Sequence, residues 1–360
     1  MGLIRFFLAC GVVLIHTGGI LGYSPLGGDL AVQCFYIISG FYMALILSEK
    51  YNTKKSLYLF YTNRTLKIYP IYWIVLVIRV IWSIITLYFS YPGTLDHYSQ
   101  NWPLSAGTMT FLILSNLFIV GLDWYFFLGI RPDGTLFFTK NGMGQPAKVY
   151  DMAFNFMAWT ISIELIFYLF APFIVKKSTK YIVLILLISL LLKIYLVHIN
   201  LTAPQWNYMF LPAQIMFFMA GILSYHIYIY LNRHPIKSYF LECSIFIFLC
   251  IITLLYNLFF KESYIKQSIL FLSFFLCIPV VFKLTKSFKF DRRLGNLSYP
   301  IYISQIIFVK TLPAKAIPKI VDLGFTTLLC TIIFSIILDY FIATPLENYR
   351  QRRVKLLNTV

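Results

Sequence analysis

The sequence predicts an all-α fold: a polytopic transmembrane bundle of about ten spans with one re-entrant segment. Three observations carry this. The 360 residues are 60% hydrophobic and only 12% charged, whereas a soluble domain is about a quarter charged. Long apolar runs follow one another without the strict alternation of a membrane β-barrel. The net charge of +17 falls in short loops between those runs, so it marks cytoplasmic loops rather than a nucleic-acid partner.

The first span, Leu3 to Gly22, is apolar enough to cross a bilayer, yet it carries Arg5 near its start and His16 well inside. It has no small-x-small cleavage site and reads as a retained span. The eleven residues from Arg5 to His16 turn a helix through about 1100°, roughly 20° past three full turns. Both side chains then share one face, about 16 Å apart. Ionisable groups at such depth face a bundle interior or a polar cavity and are functional candidates. The plainer readings are a snorkelling Arg5 and a His16 bonded to a neighbouring helix.

The second span, about Leu30 to Leu47, holds Ser39 and Gly40 in mid-helix, small residues that let another backbone approach. A basic loop follows, with Lys50, Lys54, Lys55, Arg64 and Lys67, and Pro70 opens the third span. Arg64 and Lys67 are three apart, hence on one side of a helical turn, where they either hold phosphates or simply set topology. The third span, Ile71 to Tyr88, buries Arg79 about 13 Å from its inner end.

Met109 to Leu128 is apolar but interrupted by Ser115, Asn116, Gly121 and Asp123. The next strong span, Ala153 to Val175, ends in Lys176, Lys177 and Lys180, which belong in the cytoplasm. The stretch between therefore crosses an even number of times, and a single apolar run does so by dipping in and returning. Spans then fall near 181–199, 209–230, 239–260, 267–284, 297–312 and 319–343. Basic loops lie at Arg233 to Lys237, Lys283 to Arg293 and in the tail from Arg350 to Lys355, while Lys261, Lys266, Lys315 and Lys319 sit on the opposite side. Both termini come out cytoplasmic.

Four further ionisable residues fall within or near spans: Glu164, Lys193, His198 and Asp339. Glu164 either orients the His16 imidazole as a buried acid or neutralises Arg79. Lys193 and His198 approach the outer interface and snorkel, and Asp339 is placed to pair with the basic tail. The six cysteines form neither a CxxC nor a Cys/His cluster, so no metal site or disulfide framework is expected.

These residues, taken together, resemble the acyltransferase 3 family of integral membrane O-acyltransferases. Arg5 and His16 look like its Arg/Lys-x10-His signature. AVQCFYIISGF, from Ala31 to Phe41, resembles its GVDxFFxxSGF element. YTNRTLKIYP resembles the basic RRxxRxxP loop, with Arg64 and Lys67 in basic positions. WTISIELIFY resembles WSLxxExxFY and places Trp159, Ser162, Glu164, Phe167 and Tyr168. LGNLSYPIYISQ resembles LGxxSYxxYLxH and places Gly295, Ser298, Tyr299 and Tyr302. Gln33, Asn63, Lys67 and Gln305 depart from the pattern, and Gln305, where the family commonly has a histidine, argues against a second catalytic histidine there.

The resemblance implies a single membrane domain over 1–360, without an appended soluble domain, in the inner or plasma membrane of a bacterial cell. It implies transfer of an acyl group, most often acetyl, from cytoplasmic acyl-CoA to a hydroxyl of a surface polysaccharide or its lipid-linked precursor. His16 and Glu164 are then the catalytic candidates, and Arg5, Arg64 and Lys67 the donor-binding ones. Ser39, Gly40, Arg79, Trp159, Ser162, Tyr168, Ser298 and Tyr299 are candidates to line or brace the site. Acyl-CoA is a substrate, and no permanently bound cofactor is expected. The alternative is a carrier or flippase for a lipid-linked glycan, disfavoured because repeated halves with matching broken helices are not evident.

Overall fold

The computed structural model describes residues 1–51, 56–236, 238–258, 263–311 and 320–358. Lys54, Lys55, Lys237, Lys261, Lys315 and Lys319 lie outside the described residues. The described chain is helical almost throughout. Its helices are α1 (Gly2–Ile15), α2 (Gly28–Glu49), α3 (Ser56–Tyr88), α4 (Thr94–Gln100), α5 (Ala106–Phe118), α6 (Trp159–Ile174), α7 (Thr179–His198), α8 (Leu211–Arg233), α9 (Tyr239–Leu255), α10 (Tyr264–Thr285), α11 (Lys289–Thr311), α12 (Leu323–Leu338) and α13 (Thr344–Asn358). A small antiparallel hairpin pairs β1 (Leu128–Ile130) with β2 (Leu136–Phe138), Gly129 opposite Phe137.

Among the described residues, eight helical segments are long and apolar enough to cross a membrane. Helix α2 lies at the centre, with 83% of its most apolar window buried, against 17% for α7 at the rim. The apolar side chains that α7 leaves exposed, among them Leu184, Ile188, Leu191 and Ile194, suit lipid contact. α11 is not among the eight because, even past its charged start, it carries Asn296, Ser298, Ser304, Gln305 and Lys310. A helix enclosed by other helices has no need of an apolar outer face: Ser304 and Gln305 are fully buried.

Two close crossings hold the centre. A Cβ on Gly40 would lie 2.1 Å from the Phe218 carbonyl oxygen, and one on Gly221 would lie 2.0 Å from that of Ile37. Glycines at both positions thus bring α2 and α8 into backbone contact, the packing role expected of Gly40. Gly2 and Gly295 do the same for α1 and α11, and Asp291 accepts from the N–H groups of Gly2 (2.7 Å) and Leu3 (2.9 Å) at the start of α1.

Three expectations are corrected. The first helix ends at Ile15 rather than Gly22, because Gly18, Gly19 and Gly22 all take positive φ and Gly19 donates back to Leu14. At 14 residues, about 21 Å, it is shorter than the ~30 Å hydrocarbon layer, and His16 caps its end instead of lying within it. Pro70 does not open α3 but sits inside it, so the basic stretch before it is already helical. The span expected from Ala153 begins as a helix only at Trp159, after a short 3-10 turn at Phe156–Ala158.

Within the stretch read as re-entrant lies most of the short helix α5. Its 13 residues span about 20 Å, and it stops at Ile119 (φ 68°) and Gly121 (φ 96°). A helix ending at depth leaves carbonyls that water cannot reach. Helix α3 meets them: Tyr72 donates to Asn116 O, Trp73 Nε1 to Leu117 O at 2.9 Å and Tyr69 to Phe118 O at 2.7 Å. Ser162 closes the turn, accepting from Gly121 N–H at 3.0 Å and donating to buried Asp123 at 2.5 Å.

Candidate active site

Several helix ends rich in basic residues meet at one end of the bundle and enclose a cavity of about 820 Å³. Its mouth is formed by Gly2 and Arg5 of α1, Glu49 and Lys50, the Asn63–Lys67 turn of α3, Arg292 and Arg293 of α11, and α13. It reaches inward along α2 to Val32, about 26 Å from Glu49 at the helical rise, and ends against Thr160 and Tyr302. Among the described residues, eight lysine and arginine side chains line it, against four carboxylates. That imbalance, in a space within the usual size range of ligand sites, is suited to a polyanion.

Arg64 and Lys67 both face the cavity, as three-residue helical spacing requires. The Arg64 guanidinium lies between the rings of Phe60 and Tyr168, 5.6 and 5.7 Å from their centroids. Lys67 is exposed, and it lines the cavity at its mouth. Arg5 lies 5.6 Å from the centroid of Tyr42. Deeper in, Ser39 and Tyr168 share a hydrogen bond of 3.0 Å, and Glu164, one turn before Tyr168, lines the same region. Ser298 donates to Gly295 O (2.7 Å) and Tyr299 to Ile68 O (2.7 Å), bracing α11 and tying it to α3 along the wall.

His16 is not part of this lining. Its ring stands edge-on to Phe156, centroids 6.2 Å apart, with Lys310 in electrostatic reach and 5.7 Å from the same phenyl ring. Of the two roles left open for Glu164, the one beside His16 is not what the structure shows: Glu164 lines the cavity, whereas His16, at the end of α1, stands against Phe156, outside the floor that Thr160 and Tyr302 make. The floor is thin. Phe156, which touches His16, lies one helical turn from Thr160, which lines the cavity. Tyr302 closes the gap, hydrogen-bonded to Thr160 Oγ1 (2.7 Å) and Met157 O (3.2 Å), with Phe35 edge-on at 6.3 Å.

The other candidates brace the scaffold. Arg79 donates to Phe154 O (3.1 Å) and to Thr94 (3.4 Å), while Glu164 faces the cavity. Trp159 packs edge-on against Phe126 and Tyr208. Gln33, at a position where the resembled motif carries an acid, donates to Gln214, which donates in turn to Asn207 O, an amide chain between α2 and α8. Asp339 accepts from Thr344 at the start of α13. Lys193 lies over the Phe217 ring at 5.4 Å.

Sequence reasoning missed Asp291, Lys310 and Arg350. Asp291 looks like one more loop charge, and no local spacing links it to residues 2 and 3. Tyr69, Tyr72 and Trp73 do carry a readable signal: three donors at i, i+3 and i+4 on one helix face.

A polytopic helical bundle with a cationic cavity at one end is the architecture of a membrane protein with an enclosed site. The acyltransferase 3 family model, an acyltransferase domain, matches residues 1–344, and the chain belongs to that family. It is a multi-pass membrane O-acyltransferase. No curated protein and no solved structure matches the chain.

Proposed function

We propose that the enzyme moves an acyl group, acetyl in the first instance, from cytoplasmic acyl-CoA to a hydroxyl of a glycan, either a surface polysaccharide or its lipid-linked precursor. The observation that carries the donor half is the cavity, with eight cations around a space that runs about 26 Å into the bundle. Its basic mouth is assigned to the cytoplasm by the positive-inside rule, and Met1 and α13 both lie there. Arg5, Arg64 and Lys67 hold the phosphates of the donor as charge-assisted contacts. The thioester end points inward, to the polar group of Ser39, Glu164 and Tyr168.

His16 acts on the other side of the floor, where the acceptor hydroxyl arrives. In a direct transfer the acceptor oxygen attacks the thioester carbonyl, the C–S bond breaks, and the imidazole takes the hydroxyl proton and passes it to the leaving thiolate. In a relayed transfer the imidazole first displaces the thiolate, giving it its N–H proton, and carries the acyl group; the acceptor oxygen then takes the acyl group as its hydroxyl proton returns to the imidazole. Both routes need the acyl group to pass the Tyr302–Thr160 contact. The chain acts in this scheme as a single membrane unit with both ends in the cytoplasm.

The acceptor is tested by mass spectrometry of cell-surface glycans from a deletion strain, the complemented strain and one carrying His16→Ala. Glycans lighter by one acyl group in the deletion and in His16→Ala, at equal protein level, are the expected result. Normal acylation in cells carrying His16→Ala removes the histidine from the mechanism. Normal acylation in the deletion, with a lipid-linked precursor accumulating, moves the assignment to transport.

A further inference from the structure

Helix α13 begins where the match to the family ends, at residue 344, yet it forms one wall of the cavity. It is fastened to α3 by Arg353, which donates to Asn63 Oδ1 (3.0 Å) and Thr62 Oγ1 (2.9 Å), while Asn63 donates on to Tyr51 (2.8 Å). One turn earlier stands Arg350. Its Nη1 donates to Glu347 at 2.5 Å, and Glu347 also accepts from Gln351.

Two guanidinium groups converge here with donors to spare. Arg64 and Arg350 each retain only 9% exposure, each has a buried Nε–H without a hydrogen-bond partner, and each repels the other electrostatically. Lys67 lies in the same field. Of the carboxylates around the mouth, Glu347 is the one bonded to Arg350, and its oxygens also serve Gln351. Burying like charges with unused N–H groups is costly unless an anion completes them. A phosphate oxygen set is the natural complement, because it accepts from several planar donors at once.

We propose that α13 is part of the donor site: Arg350, with Arg64 and Lys67, holds a phosphate or diphosphate group of the acyl-CoA, and Arg353 is the positioning residue that docks the helix. This rests on the acyl-CoA reading. The same phosphate chemistry belongs to anionic lipid headgroups, so the test separates the two sources.

The full-length protein in nanodiscs is titrated with CoA and with pantetheine, which lacks the phosphates, in zwitterionic and in phosphatidylglycerol-containing lipid. Wild type is expected to bind CoA far more tightly than pantetheine in either lipid. Arg350→Gln is expected to weaken CoA tenfold or more, the loss of one charge-assisted contact, while pantetheine binding and thermal stability hold. Arg353→Gln weakens CoA less, raising the KM for acyl-CoA at unchanged kcat, and Arg353→Lys restores part of it. Glu347→Gln, which removes the competing carboxylate, is expected to tighten CoA, a gain that misfolding does not produce. Undiminished CoA affinity in Arg350→Gln overturns the proposal and leaves the acyl-CoA reading standing. A wild type that shows no CoA binding in either lipid overturns both. Arg350-dependent loss of CoA binding on adding phosphatidylglycerol assigns the site to lipid phosphate and overturns the donor assignment.

Discussion

Gly40 provides the sharpest test of how the scaffold sets the site. A Cβ there would lie 2.1 Å from the Phe218 carbonyl oxygen, whereas ordinary contact begins at 3.4 Å, so Gly40→Ala forces α2 and α8 apart by about 1.3 Å. The atom met is backbone, so no rotamer change relieves it. Overpacking of this kind costs about 1–3 kcal/mol or more. Neighbouring Ser39 lines the cavity and bonds Tyr168 of α6, so a shift of α2 away from α8 is expected to disturb that 3.0 Å contact and weaken donor binding. Gly11→Ala is the control. It lies in α1 with nothing within 4 Å of the new methyl, and is expected to be neutral or to stabilise by up to about 1 kcal/mol. Thermal unfolding of the detergent-solubilised protein, with CoA titrations on the survivors, reads both. Equal melting temperatures for Gly40→Ala and Gly11→Ala would refute the crossing as drawn.

Three other substitutions probe the site and its supports. Arg64→Ala is expected to raise the KM for acyl-CoA roughly tenfold with little change in the KM for acceptor, by loss of a charge-assisted contact, and an unchanged donor KM removes Arg64 from the site. Asp291→Ala leaves the N–H groups of Gly2 and Leu3 unpaired at the α1–α11 contact. It is expected to destabilise by about 1–3 kcal/mol per orphaned group, measured by unfolding in detergent. Ser162→Ala strips Gly121 N–H and Asp123 of a shared partner and is expected to speed hydrogen exchange around residues 119–123. Exchange unchanged from wild type would show that the turn after α5 does not depend on this serine.

Much of the candidate site is legible in the amino-acid sequence. Arg64 and Lys67 share a cavity because residues three apart share a helix face wherever the helix packs. Gly40 marks a close crossing because only a small side chain permits one. The basic loops pick out one end of the bundle, and the cavity opens there. What hydropathy reports is depth, and depth is blind to azimuth. His16, Arg79 and Glu164 all read as buried, yet His16 stands against Phe156, Arg79 bonds Phe154 and Thr94, and Glu164 lines the cavity.

Apolar run length, charge position and short motifs are local properties, and they suffice to make the chain a membrane helical bundle of this family with its cations at one end. Which buried charges meet and the place of α13 in the cavity wall are settled only by tertiary packing. Asp291 reaches Gly2, and Arg353 reaches Asn63, across nearly the whole length of the chain. Such contacts depend on how helices rotate and cross, set by glycine crossings and by carbonyls needing donors where water is absent, and no window of sequence contains both partners.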